Sequence, residues 1–131
     1  MSTIAGRIWV AGTPRGFGDS EIEAEWLAAM ESCKALVDIA EREADPAEVY
    51  SVELEFVIDP HSGCYGDSYR EQGPDLDNLV KLTIDGLTKE RRDGMGLGII
   101  PRDDAVMEIS ATKRKKTGEE ATGAFVTIKT V

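Results

Sequence analysis

The chain has 131 residues, which is enough for one packed core and too few for two, so we expect a single domain over residues 1–131. Its ordinary composition and the lack of a long uninterrupted apolar run exclude a membrane-spanning protein. The formal net charge is −10, which at first argues against a nucleic-acid partner, because phosphate binding depends on Lys and Arg.

The acidic residues are concentrated in one part of the sequence. Residues 19–58 contain twelve acidic and two basic side chains, whereas residues 59–131 contain thirteen acidic and eleven basic ones. Residues 1–18 contain two basic side chains and no acidic one. The two-thirds of the chain outside the acidic segment can therefore present a basic face.

The N-terminus and the cysteines both indicate a reducing compartment. The first residues lack the charged-then-apolar pattern of a secretory signal peptide. Cys33 and Cys64 stand apart, without a CxxC pair or a dense cysteine framework, and we interpret both as free thiols. We therefore expect a cytoplasmic protein.

The first half of the chain predicts a strand, a helix and a second strand. Apolar residues of one parity indicate a strand over 4–10. Apolar steps of three and four residues then favour one long helix over 20–44, in which Ser20 and Glu23 have the form of a capping box. Residues 49–58 alternate cleanly, as expected of a strand with one solvent-facing, acidic side.

The second half predicts a helix followed by two strands. An amphipathic helix covers about 75–90, and a glycine-rich loop follows over 91–102. Strands over 106–111 and 124–131 are joined by a polar hairpin near 117–123. The order β-α-β-α-β-β indicates a single α/β (α+β) domain that has a mixed sheet and two packed helices.

The run PDLDNLVK at residues 74–81 is the most informative segment. Side chains two positions apart on a helix point about 200° apart, so Asp75 and Asp77 cannot reach one ion from within a helix. Pro74 disfavours helix at the residue before it, and the apolar stripe is secure only from Leu76 onward. We therefore expect Asp75 in extended chain or at the N-cap and Asp77 in the first turn, from where both carboxylates can converge.

Further charged positions extend this cluster. Asp77 and Lys81 are neighbours on one helix face, and Asp85 continues the row. A third carboxylate is expected from the pair Asp103 and Asp104, which precedes a strand and so lies at a sheet edge. Aspartates without His or Cys ligands suit Mg²⁺ or Mn²⁺ better than zinc. On spacing alone, helix caps and a surface ion pair are the commoner explanation.

The same run, together with the pattern DDxV at 103–106, resembles the signature of the RusA family of Holliday-junction resolvases. The similarity covers roughly residues 74–114, and residues 12–15 more loosely resemble the family's opening G-x-P loop. It implies a RusA-like α/β homodimer that cuts branched DNA, such as a four-way junction, with Mg²⁺. Such proteins act in DNA recombination and repair and often belong to phage or prophage.

The resemblance also implies roles for individual residues. The metal ligands would be Asp75, Asp77 and Asp104. These three carboxylates and Lys81 would carry the catalysis. The supporting residues would be Asn78, Asp85 and Asp103.

Basic side chains around the aspartates are the candidate phosphate contacts. The run at 113–116 is the best of them, although such a run is by itself more often a set of solvated gatekeeping charges. The full set of candidate DNA-binding residues is Arg15, Arg70, Arg91, Arg92, Arg102, Lys113, Arg114, Lys115 and Lys116.

Departures from the family pattern keep other functions open. Residues 71–74 carry no basic side chain directly before the first aspartate, and the chain as a whole is acidic. One alternative is a RusA-like DNA-binding or interaction module with weak or lost cleavage. Another is a Mg²⁺ enzyme that acts on free nucleotides, because DxD clusters serve phosphate chemistry generally. The loop over 91–102 could contact DNA or, since its apolar residues need burial, form part of a dimer.

Overall fold

The computed structural model describes residues 2–16, 20–43, 45–62, 65, 73–88 and 96–131. Within these residues the chain forms four strands and three α-helices, connected in places by short 3₁₀-helical turns. In chain order the elements are β1 (Thr3–Ala11), α1 (Ser20–Glu31), α2 (Lys34–Ala40), β2 (Tyr50–Ile58), α3 (Leu76–Leu87), β3 (Val106–Lys115) and β4 (Gly123–Thr130).

The four strands form one mixed sheet in the order β1-β4-β2-β3. Strand β4 is antiparallel to both β1 and β2, whereas β3 runs parallel to β2 at the edge of the sheet. A parallel pair needs a long crossover, and α3 lies within the connection from β2 to β3. The expected single α+β domain with a mixed sheet is confirmed.

The expected hairpin between the last two strands is wrong, because β2 lies between β3 and β4. The connection between them passes over the end of β2, where the Lys116 amide donates to the Ile58 carbonyl at 2.8 Å. The polar residues near 117–123 do form a turn, with Gly118 at a φ of 55°. A local turn signal therefore does not reveal whether the flanking strands pair with each other.

The expected single long helix over 20–44 is also wrong, and the chain forms α1 and α2 instead of one packed helix. The break falls at Cys33, whose backbone is extended with φ −80° and ψ 102°. Its thiol donates to the Trp9 carbonyl at 3.6 Å, which ties the break to β1. Because the chain turns there, Met30 and Leu36 both reach the core on separate helices.

The core lies between one face of the sheet and the helices. Trp26 on α1 is fully buried, and its indole N–H donates to the Thr83 hydroxyl on α3 at 2.9 Å. That hydroxyl donates in turn to the Leu79 carbonyl at 2.8 Å, so the polar groups of this contact are paired. This packing fixes α3 against α1. No helix among the described residues is long and apolar enough to cross a membrane.

Candidate functional site

The aspartate motif lies where the chain enters α3. Gly73 and Pro74 are buried, and Gly73 has a φ of 73°, a conformation that favours glycine. Asp75 occupies the N-cap position with φ −59° and ψ 139°, and its carbonyl accepts the Leu79 amide at 3.1 Å. Asp77 follows in the first turn. The two aspartates therefore have the backbone positions expected from the sequence.

An open pocket of about 660 Å³ lies between α3 and the edge strand β3. Asp77, Lys81 and Asp85 line it from successive turns of α3, and Asp103 lines it from the turn before β3. Its remaining walls are apolar and consist of Leu76, Val80, Ile84, Ile109 and Ala111. The crossover from β2 to β3 thus brings the carboxylates of α3 together with that of Asp103, which is distant in sequence.

The structure separates the two members of the Asp103–Asp104 pair. Asp103 lines the pocket, whereas Asp104 does not and its side chain is 74% exposed. The Asp104 carboxylate lies 3.0 Å from Nε of Arg102, another candidate DNA contact. Both aspartates belong to a 3₁₀ turn over Asp103–Ala105, in which successive side chains point about 120° apart. Only one of two adjacent residues can therefore face the pocket.

The donor chemistry of the pocket fits a hard cation, but a closed cage is not formed. In the described part of the chain, no three Asp, Glu, His or Cys side chains are arranged to hold one metal ion. Mg²⁺ usually keeps several waters and binds through one or two carboxylates together with substrate phosphates. Asp77 and Asp103, which both line the pocket, offer carboxylates for this open mode of binding.

The loop after β1 packs against the same helix start. Gly16 approaches α3 so closely that a Cβ placed there would lie 2.8 Å from the Cβ of Asn78. The Arg15 side chain is only 12% exposed, and its Nη2 lies 3.2 Å from a Glu25 carboxylate oxygen. The Tyr65 hydroxyl donates to the Pro14 carbonyl at 3.0 Å. Arg15 is therefore built into this loop and does not extend into solvent.

The first two residues of the basic run 113–116 bind groups in other parts of the protein. The Lys113 ammonium donates to the Pro74 carbonyl at 2.8 Å, directly before the first aspartate. Arg114 binds Glu120 through both terminal nitrogens, at 2.7 and 2.6 Å. These bonds from Arg114, followed by the Thr117 backbone amide, lower the pKa of Glu120 to about 2.

The remaining candidate contacts differ in their surroundings. Lys115 is exposed, and the Lys116 ammonium donates to the Gly118 carbonyl at 2.6 Å. Arg70, Arg91 and Arg92 lie outside the described residues. Within the described residues, the basic end of β3 therefore offers Lys115 as its most exposed cation.

Sequence reasoning missed the apolar walls of the pocket and the position of Lys113. Both depend on β3 lying parallel to β2 beneath α3, and the strand pattern contains no signal for that pairing. Comparison with protein-family models, with curated proteins and with solved structures finds no match to this chain. The resemblance to the RusA signature therefore rests on the motif residues themselves.

Proposed function

We propose that this protein is a Mg²⁺-dependent endodeoxyribonuclease that resolves Holliday junctions or related branched DNA by phosphodiester hydrolysis. The observation that carries the proposal is the open pocket lined by Asp77, Lys81, Asp85 and Asp103. This combination suits the cleavage of a phosphodiester. The carboxylates hold a cation, and the ammonium group offsets negative charge that develops on the phosphate.

The proposed division of labour follows the chemistry of the side chains. Asp75 and Asp77 would hold Mg²⁺ together with a third carboxylate, which is either Asp104, as the resemblance implies, or its pocket-lining neighbour Asp103. When bound, Mg²⁺ supplies Lewis acidity toward a phosphate oxygen. Lys81 lies one helical turn after Asp77 on the same face and offsets negative charge on the phosphate. A carboxylate site of this kind favours neutral to alkaline pH.

The proposed partner is a four-way junction bound by a homodimer. A two-fold dimer would present two equivalent pockets to the two-fold-related arms of the junction, which permits paired nicks. The dimer comes from the resemblance to the RusA signature, and the junction is the substrate whose symmetry matches it.

The proposal is tested by incubating the wild-type protein with an end-labelled four-way junction in Mg²⁺, alongside linear duplex DNA of the same sequence. We expect cleavage of the junction and little cleavage of the duplex. Asp103→Asn and Asp104→Asn, measured in parallel, identify which carboxylate of the pair takes part. Absence of cleavage in both Mg²⁺ and Mn²⁺ would contradict the proposal.

A second candidate is a RusA-like DNA-binding or interaction module with weak or lost cleavage. It is favoured by the exposed ion pair between Arg102 and Asp104, which occupies a proposed metal ligand, and by the net charge of −10. Such a module would bind the junction with similar affinity in EDTA and in Mg²⁺ and leave it intact. Rapid cleavage at physiological salt would exclude it.

A further inference from the structure

Lys113 connects the edge strand to the aspartate motif. It lies on β3 with the same parity as Ile109 and Ala111, so its side chain points toward α3. Its ammonium donates to the Pro74 carbonyl at 2.8 Å in a partly buried contact that joins residues 39 positions apart. A hydrogen bond from a charged donor is stronger than one between neutral groups.

The start of α3 lacks the side-chain cap that usually orders the N-terminus of a helix. The Asp75 side chain stands at the N-cap but makes no capping hydrogen bond to the helix. Pro74 has no backbone N–H and can only accept through its carbonyl. A side chain that binds this carbonyl therefore fixes the orientation of the peptide between Pro74 and Asp75, and with it the direction in which both aspartates leave the helix start.

We propose that Lys113 is a positioning residue for the aspartate motif and not a phosphate contact. It fixes the peptide through which the chain enters α3, while the Asp75 carboxylate makes no capping hydrogen bond and is left available for another partner. The catalytic consequence rests on the proposed nuclease function, whereas the effect on the helix start does not.

The neighbouring Lys115 provides a matched control. It lies two residues further along the same side of β3 and is exposed. Lys113→Met and Lys115→Met each remove one positive charge and keep an unbranched side chain of similar length. Lys113→Arg keeps a cationic donor at the first position and tests for rescue.

Three measurements separate positioning from phosphate binding. They are hydrogen exchange of the amides in the first two turns of α3, the junction dissociation constant in Ca²⁺, and single-turnover cleavage at saturating protein in Mg²⁺. For Lys113→Met we expect exchange and cleavage to change about tenfold, exchange becoming faster and cleavage slower, with an unchanged dissociation constant. For Lys115→Met, at a candidate phosphate contact, we expect unchanged exchange and a larger dissociation constant. Lys113→Arg should recover most of the cleavage rate.

Each contrary outcome has a defined meaning. Unchanged amide exchange in Lys113→Met overturns the proposal. A larger junction dissociation constant with a normal cleavage rate at saturation also overturns it, because that pattern identifies a phosphate contact. If the wild-type protein does not cleave, the nuclease function and the catalytic part of this proposal fall together. A comparison of amide hydrogen exchange in Lys113→Met and Lys115→Met then still decides whether Lys113 fixes the start of α3.

Discussion

Gly16 determines how closely the loop after β1 can approach the aspartate motif. A Cβ at this position would lie 2.8 Å from the Asn78 Cβ and 3.1 Å from the Asn78 carbonyl carbon. The second of these atoms belongs to the backbone in the first turn of α3 and cannot rotate away. The loop or the helix start must therefore move if a side chain is placed at residue 16.

We expect Gly16→Ala to lower the free energy of unfolding by about 1–3 kcal/mol, the usual cost of forcing an extra methyl group into a packed contact. Urea denaturation measures the change. Gly6→Ala is the matched control, because among the described residues a Cβ there would meet the Thr3 methyl group at an ordinary contact distance of 3.6 Å. Equal stability of the two variants would show that the loop does not press on α3.

At the residue scale, local placement was predictable and long-range placement was not. The positions of Asp75 and Asp77 followed from Pro74 and from the start of the apolar stripe, which are neighbours in sequence. The choice between Asp103 and Asp104 depends on a 3₁₀ turn that the pattern does not signal. The contact of Lys113 joins residues 39 positions apart, so no local pattern could indicate it.

The connection between β3 and β4 is held by Arg114 and Glu120. The guanidinium binds both carboxylate oxygens, and the Thr117 amide donates to one of them at 3.1 Å. These bonds stabilise the ionised carboxylate and lower the pKa of Glu120 from its ordinary value of 4.5 to about 2. The contribution to stability is therefore present above about pH 4.5 and is lost as the pH falls toward 2.

We expect Glu120→Gln to be less stable than the wild type at pH 7 and the difference to shrink steadily as the pH is lowered from 4.5 toward 2. Urea midpoints measured across this range report the difference. The neighbouring exposed Glu119 supplies the control variant Glu119→Gln. A gap that stays constant through acid pH would mean that Glu120 does not titrate with a lowered pKa in the folded protein.

For the strands and α3, the period of the apolar residues predicts where each element lies in the sequence. It does not predict which strands pair in the sheet. Strands β2 and β4 and the helix α3 were expected within a few residues of their bounds, because burial on one face imposes the period. The wrong hairpin arose because the place of β3 is set by the crossover through α3 and not by the turn after it. The break between α1 and α2 was missed because apolar residues continue across it at helical spacing.

In the molecule as a whole, the acidic segment 19–58 contributes no described side chain to the lining of the pocket. Glu53 and Glu55 alternate with core residues of β2 and therefore point to the opposite face of the sheet. The basic end of β3 begins beside the motif, where Lys113 binds Pro74. A phosphate backbone that followed this end of β3 into the pocket would lie on the face of the sheet opposite to Glu53 and Glu55.

We expect Lys115→Gln to weaken junction binding and to reduce the slope of log Kd against log salt by about 1, as the loss of one phosphate contact does. Lys34→Gln changes the net charge equally on α2, where Lys34 pairs with Asp38 at 2.9 Å. The control should leave the slope unchanged. Equal effects of both variants would indicate a response to net charge alone.

We propose that the residues of the pocket beside α3 cleave a phosphodiester. Single-turnover cleavage of a labelled four-way junction in Mg²⁺, by the wild type and by Asp77→Asn, tests it most directly. Asp38→Asn, an exposed aspartate on α2, serves as the control. We predict a wild-type rate at least about 100-fold above that of Asp77→Asn, with Asp38→Asn close to wild type. Cleavage by Asp77→Asn at the wild-type rate would contradict the claim.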